Sequence, residues 1–256
     1  MARVKPKKYL GQHFLKDRTI AEKISGSLTG KGYEAVLEIG PGMGILTGFI
    51  IARGFADLRV VEIDEESVSY LKDKFSGLKI ISGDFLDLDI DSLFPGKLAV
   101  IGNFPYNISS QIFFRILEHR DKVAEVCCML QKEVAERICA GPGSKVYGIL
   151  SVLLQAYYSV EYLFSVSPEV FSPPPKVKSG VIRLIRNEVD RLDCNEKLFF
   201  SVVKACFNHR RKILRNSVKA AFKLKNYDYG ELYLRPEQLS VDQFVNLTRW
   251  IEGNRI

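Results

Sequence analysis

A chain of 256 residues, 46% hydrophobic and 26% charged, is long enough for one full α/β domain and a smaller companion, and its composition excludes disordered and fibrous classes. No apolar run approaches the roughly 18 residues that span a bilayer, and the opening MARVKPKKYL lacks the apolar middle of a secretory leader. A cytoplasmic location with no membrane partner is expected, and five cysteines without a CxxC pair read as reduced thiols with no metal site.

The net charge of +7 is segregated along the chain. Arg3, Lys5, Lys7 and Lys8 crowd the N-terminus without an acid, and nine more bases lie between Lys197 and Tyr227, again without one. Those thirteen aside, 24 bases face 30 acids, so two basic zones sit on a body of about −6. Two acid-free clusters predict a polyanionic partner.

In chain order, Asp17 predicts the cap of a helix running to Leu28. Glu34–Ile39 then reads as a buried strand ending in glycines. Strand and helix alternate after it, with strands at Leu58–Ile63, Leu78–Ser82 and Leu98–Gly102 and a helix over Glu65–Phe75, the pattern of a parallel sheet. Ser109 predicts the cap of a helix to His119, followed by a strand at Glu125–Leu130 and a helix over Gln131–Cys139. A hairpin of Tyr158–Phe164 and Val177–Ile185, interrupted by the Pro-rich stretch Ser172–Pro175, is expected to close the sheet. Beyond Asn187–Asp190 the period changes: Phe199, Val202, Val203 and Cys206, then Leu214, Val218, Ala221 and Phe222, recur at helical steps. Residues 1–188 and 189–256 are the expected domains.

The first strand runs into Glu38-Ile39-Gly40-Pro41-Gly42-Met43-Gly44. Such a glycine turn lets a nucleotide-type ligand approach the backbone. The dinucleotide fingerprint requires a third glycine where Ile45 stands, and no Walker Lys follows, so oxidoreductase and phosphate-binding readings weaken. A carboxylate closes each of the next two strands, Glu62 placed to accept both ribose hydroxyls of an adenosine and Asp84 to accept from its adenine amine.

The fourth strand ends in Asn103-Phe104-Pro105-Tyr106. An exocyclic adenine amine is a poor nucleophile because its lone pair is delocalised into the ring, so it needs reorienting more than deprotonating. The Asn103 side-chain oxygen and the Phe104 backbone carbonyl can accept its two N–H bonds, Pro105 stiffens the loop, and Tyr106 can stack on the base for ~1–3 kcal/mol.

With YLGQHFLKD, EIGPGMG, VEID, GNFPYNIS, MLQKEVAERICAGPGSKVYG, FSPPPKVKSG and FNHRRKILRNS in this order, the chain resembles, over nearly its whole length, the KsgA family of ribosomal RNA small-subunit adenine N6,N6-dimethyltransferases. The resemblance implies a Rossmann-like S-adenosylmethionine-dependent methyltransferase fold, a mostly parallel seven-stranded sheet with a closing hairpin, and a small C-terminal all-helical domain. It implies cofactor contacts by His13, Leu15, Gly40, Glu62, Asp84 and Asn103, with Gly42 in the same turn, and Phe171 covering the second face of the target base. The implied substrate is two adjacent adenosines in a hairpin loop near the 3′ end of small-subunit rRNA, methylated during assembly of the 30S subunit. A monomer is expected, with Arg210, Arg211, Lys212 and Arg215 on RNA phosphates. His13 stands where Asn is common, and Phe104 where Leu is common. The alternatives are the large-subunit rRNA dimethyltransferase of the macrolide-resistance type, whose tail differs, and a non-catalytic ribosome assembly factor.

Overall fold

The computed structural model describes residues 4–256, so Arg3 of the N-terminal cluster lies outside the described residues. After β1 (Phe14–Leu15), α1 (Arg18–Gly26) begins where the Asp17 side chain accepts the Ile20 N–H at 3.1 Å. Strands and helices then alternate as β2 (Ala35–Ile39), α2 (Ile45–Ala52), β3 (Asp57–Glu62), α3 (Glu65–Lys74), β4 (Lys79–Ser82) and a short α4 (Ile90–Leu93). They continue through β5 (Leu98–Asn103), α5 (Ser109–Glu118), β6 (Val123–Gln131), α6 (Lys132–Cys139), α7 (Ile149–Gln155), β7 (Tyr158–Val166), β8 (Phe171–Ser172) and β9 (Ser179–Arg186). The chain finishes in α8 (Glu196–Asn208), α9 (Leu214–Ala221) and α10 (Val241–Asn254).

Seven strands form one sheet in the order β4-β3-β2-β5-β6-β9-β7. Pairing is parallel from β4 to β6, and β9 returns antiparallel to β6. Every residue of β2 is buried, as a strand covered on both faces requires. Because β2 lies between β3 and β5, the connections leave it in opposite directions, and a crevice opens at the carboxyl ends of β2 and β5. A separate two-stranded ribbon joins β1 to β8, with Leu15 opposite Phe171. It brings the N-terminal arm and the Pro-rich segment together.

Ser109 is the first residue of α5 rather than its cap. The cap position falls on Ile108, which makes no side-chain bond, and the Ser109 hydroxyl donates instead to the Tyr106 carbonyl at 3.4 Å. The chain divides into two compact units, residues 1–135 with 160–186 and residues 136–159 with 187–256. The segment 136–159, assigned by sequence to the first domain, thus packs with the C-terminal helices. Its α7 reads ILSVLLQ, with Leu150 to Leu154 all buried and its two polar side chains, Ser151 and Gln155, donating to the carbonyls of Arg137, Ile138 and Ala140. Within that unit Phe207 stacks on Phe244 at 5.9 Å between ring centroids, and Ser240 and Gln243 form a capping box at the start of α10. Among the described residues no helix is long and apolar enough to cross a membrane.

Candidate active site

The crevice at the carboxyl ends of β2 and β5 is a cavity lined by the glycine turn after β2, Glu62 ending β3, Asp84 following β4, and the loop Asn103–Tyr106. The arm residues Leu10 to Leu15 form its remaining side. Gly40 and Gly42 have φ of +64° and +53°, which other residues rarely adopt. A side chain on Gly42 would also start 2.8 Å from the Phe14 ring, whereas nothing lies within 4 Å of one on Gly40, which faces open space that a ligand can fill.

Glu62 is 4% exposed and holds this turn in shape, accepting the Gly42 and Asp64 N–H groups at 3.0 Å each. Burial raises its carboxyl above the usual carboxylate range, against those two bonds. A carboxylate accepts about four hydrogen bonds, which leaves capacity for ligand hydroxyls. Asp84 spends one oxygen on the Leu86 N–H at 2.9 Å and lines the cavity with the rest of its side chain.

Glu38, in sequence no more than the first residue of the turn motif, is fully enclosed beside this cavity. Burial pushes its carboxyl up to about 8 from an ordinary value of 4.5, although the Thr47 hydroxyl donates to it at 2.6 Å. Below the lower value the carboxyl is protonated in both folded and unfolded chains. As pH rises towards the upper value only the unfolded chain ionises, so stability is lost through this window. Glu38→Gln should therefore flatten the decline between pH 5 and 8 in chemical denaturation, and an unchanged decline would remove Glu38 as its source.

The Asn103 amide donates from Nδ2 to the His13 carbonyl at 2.9 Å, while its Oδ1 is buried and has no hydrogen-bond partner. Phe104 commits its side chain to the core, edge-on to Phe113 at 5.8 Å, and its N–H to the Met129 carbonyl at 2.9 Å. What it offers the loop is backbone. Pro105 follows, its carbonyl accepting the Ile108 N–H at 3.2 Å. Tyr106 is anchored through its hydroxyl to Ser179 Oγ, and its ring lies 5.7 Å from that of His13 at 33°. Burial raises the Tyr106 phenol above its ordinary range. His13 Nδ1 in turn meets the Pro173 carbonyl at 2.8 Å.

The cavity thus brings together His13, Leu15, Gly40, Gly42, Glu62 and Asp84 with the loop Asn103 to Tyr106. Phe171 is not among them. Pairing with Leu15 turns its ring into the core cluster of Leu15, Ile24 and Val166, where it is 1% exposed, and withdrawing it would cost ~1.5–3 kcal/mol.

The basic residues are also sorted by their surroundings. Lys7 is paired with Asp64 and lies 3.5 Å from Glu66, so it braces the arm; the Asp64 carboxylate raises its ammonium. Arg210 donates to the carbonyls of Ser144 and Lys145, and Arg215 lies over the Tyr233 ring at 6.0 Å with its Nε buried and unpartnered. Arg211 and Lys212 are exposed. Ser179 and Gln12 lie in quoted motifs without a role read from them; in the structure Ser179 meets Tyr106 and Gln12 Nε2 donates to Asp64 at 3.3 Å, contacts between residues far apart in the chain.

The family profile "Ribosomal RNA adenine dimethylase" matches residues 3–252. The chain is 59% identical over 254 residues to the Ribosomal RNA small subunit methyltransferase A of Parabacteroides distasonis, covering 97% of this chain and 94% of that one. With its namesake from Flavobacterium johnsoniae it shares 56% identity over 261 residues, 100% and 99% of the two chains. Among solved structures, a dimethyladenosine transferase from Plasmodium falciparum superposes with a TM-score of 0.78 at 26% identity, over 95% of this chain and 99% of that one. The 23S rRNA methyltransferase ErmE superposes with a TM-score of 0.68 at 25% identity, over 91% and 98%. With a crevice that offers a glycine turn, two edge carboxylates and the Asn103–Tyr106 loop, and with these relatives along its whole length, the chain belongs to the ribosomal RNA adenine dimethylase family.

Proposed function

We propose that this chain dimethylates N6 of two adjacent adenosines in a hairpin loop near the 3′ end of small-subunit rRNA, with S-adenosylmethionine as methyl donor. The observation that carries the chemistry is the Asn103 Oδ1, a buried acceptor with no partner on a residue that lines the cavity. Such an atom costs stability unless a donor fills it, and the amine N–H of an adenine is a donor of the right kind.

The residues present fit the cofactor. Gly40 opens onto space, Glu62 holds the turn and keeps acceptor capacity for ribose hydroxyls, and Asp84 has capacity left for the adenine amine. Held there, S-adenosylmethionine would supply an electrophilic methyl: the S–CH3 bond would break as the N6–C bond forms, S-adenosylhomocysteine would leave, and the N6 hydrogen replaced would depart to solvent as a proton. The chain's own part is orientation. Asn103 Oδ1 and the Phe104 carbonyl accept the amine hydrogens and turn the lone pair out of conjugation, and Tyr106, pinned at its hydroxyl, offers its ring to the base. Either acceptor suffices for the single N–H left after the first transfer, so a second transfer follows. The target bases must be unpaired or flipped, which a loop makes less costly.

The partner in this reading is small-subunit rRNA in an immature 30S particle, met in the cytoplasm by a monomer. Exposed Arg211 and Lys212 support phosphate contacts in the tail. Each neutralised phosphate contributes about 0.7–0.9 to the slope of log affinity against log salt. Replacing both by Gln should flatten that slope by about 1.5 without changing which base is modified. An unchanged slope with unchanged affinity would return the pair to a solvated surface. The reading itself is tested by incubating the protein with labelled methyl donor and naked rRNA, immature small subunits or large subunits, then mapping the label. Label on adenosines of a 3′-terminal small-subunit hairpin is the expected result.

A further inference from the structure

We infer that Asp64 is a positioning residue, which latches the N-terminal arm through Lys7 and Gln12 and so keeps in place the wall that closes the cavity. What the latch does for binding rests on the proposed cofactor site; the contacts that form it do not.

A turn over Lys8–Leu10 folds the arm back on itself. The Lys7 N–H donates to Gln12 Oε1 at 2.8 Å, which brings two side chains five residues apart to one place. Both end on the Asp64 carboxylate, Lys7 Nζ on Oδ1 and Gln12 Nε2 on Oδ2 at 3.3 Å. The other donors to that carboxylate come from the first turn of α3, the Glu66 N–H at 3.2 Å and the Ser67 hydroxyl at 3.0 Å. One carboxylate thus caps α3 and fastens the arm to it.

The latch stands at one end of a short span whose other end is the ribbon, where Phe14 and Leu15 pair with Ser172 and Phe171. Between the two the arm runs along the cavity. A Cβ on Gly42 would begin 2.8 Å from the Phe14 ring, and one on Gly11 would begin 2.7 Å from Oδ1 of Asn107, just past the loop Asn103–Tyr106. The Asp64 N–H also donates to Glu62 Oε1 while the Gly42 N–H donates to Oε2, each at 3.0 Å. Arm, Glu62 and glycine turn are therefore joined in one chain of hydrogen bonds.

The Asp64 side chain has no exposed surface, and that of Lys7 is 26% exposed. Against its burial, the bonds from Lys7, Ser67 and Gln12 hold the Asp64 carboxyl below the usual carboxylate range. A buried carboxylate that loses its cation keeps the cost of its desolvation, which favours the paired arm. Lys7, one of four bases crowded at the N-terminus, is thereby spent inside the molecule rather than on a polyanion. A ligand that needs the wall binds only latched molecules, so its affinity falls with the latched fraction, and the bound ligand must in return favour the latch.

The test follows tryptic cleavage after Lys8 and, separately, calorimetric affinity for S-adenosylmethionine in wild type, Lys7→Gln, Lys7→Arg and Asp64→Asn. Asparagine at 64 keeps an oxygen for the α3 cap but offers Lys7 no charge, and arginine at 7 keeps the cation. Without cofactor, cleavage should be about 10-fold faster in Lys7→Gln and Asp64→Asn, because it tracks the open fraction, and near the wild-type rate in Lys7→Arg. Affinity should fall about 10-fold in the first two, as when about a tenth of the molecules are latched, and added cofactor should slow cleavage of the wild type. Binding of a naked small-subunit rRNA hairpin should keep its salt slope in Lys7→Gln, whereas a lost phosphate contact would flatten it by about 0.7–0.9. Unchanged cleavage or unchanged affinity in Lys7→Gln, an arginine variant as open as the glutamine one, or a flattened salt slope would each overturn the inference. Should Asp64→Asn fail to fold, the Lys7 variants decide alone. Wild type that bound no S-adenosylmethionine would count against the proposed function, and cleavage in the absence of cofactor would still decide the latch.

Discussion

Replacing Asn103 by alanine lowers methyl transfer by about 100-fold or more, the usual consequence of deleting one preorganised polar group aimed at the reacting atom. In the proposed role the group acts on the amine as the lone pair turns out of the ring, so the loss should fall on turnover and leave RNA affinity nearly intact. Stability should change little. The variant loses the bond from Nδ2 to the His13 carbonyl, about 0.5–1.5 kcal/mol, but also removes a buried acceptor whose lack of a partner costs about 1–3 kcal/mol. Single-turnover kinetics and thermal unfolding of the same preparation check both halves. Near wild-type turnover in a folded variant would show that the amine is oriented by something else.

Replacing Glu62 by alanine has the largest expected effect on cofactor binding. The carboxylate already accepts the Gly42 and Asp64 N–H groups, and the proposed function offers it to the ribose hydroxyls as well. Its removal therefore leaves the ligand without acceptors and two backbone donors without partners, at about 1–3 kcal/mol for each buried group left unpaired. A loss of affinity of 10- to 100-fold, about 1.4–2.7 kcal/mol, is the expected range. Glu62→Gln separates the two causes in part, since its carbonyl can accept one of the N–H groups while its amide cannot accept the other. It should fall between alanine and wild type in a calorimetric titration, and equal affinity in all three would remove Glu62 from the cofactor site.

The sheet and the edge of the cavity were legible because both follow from local pattern. Short apolar strands alternating with helices announced β2 to β6, and glycines or carboxylates at strand ends marked where Gly40, Glu62, Asp84 and Asn103 would meet. What stayed hidden depended on partners distant in the chain. Phe171 reads, through the resemblance, as a cover for the target base at the opening of a Pro-rich stretch, whereas its ring is turned inward by a ribbon with Leu15 that no local signal announces. Helix α7 carries only Ser151 and Gln155 as polar residues over seven positions, too short a stretch to show the period by which a helix is recognised. Arg210 reads as one base in a run, and only the fold shows it donating to the carbonyls of the 141–148 loop. Lys7 is likewise a member of a cluster in sequence and half of an ion pair in space.

Whether this cavity transfers two methyl groups to one adenine amine of small-subunit rRNA is tested most directly by mass spectrometry of the nucleosides released from modified rRNA. N6,N6-dimethyladenosine is the predicted persistent product in small-subunit rRNA, with the monomethyl form only transient. Monomethyladenosine as the end product, or modification confined to large-subunit rRNA, would contradict the assignment.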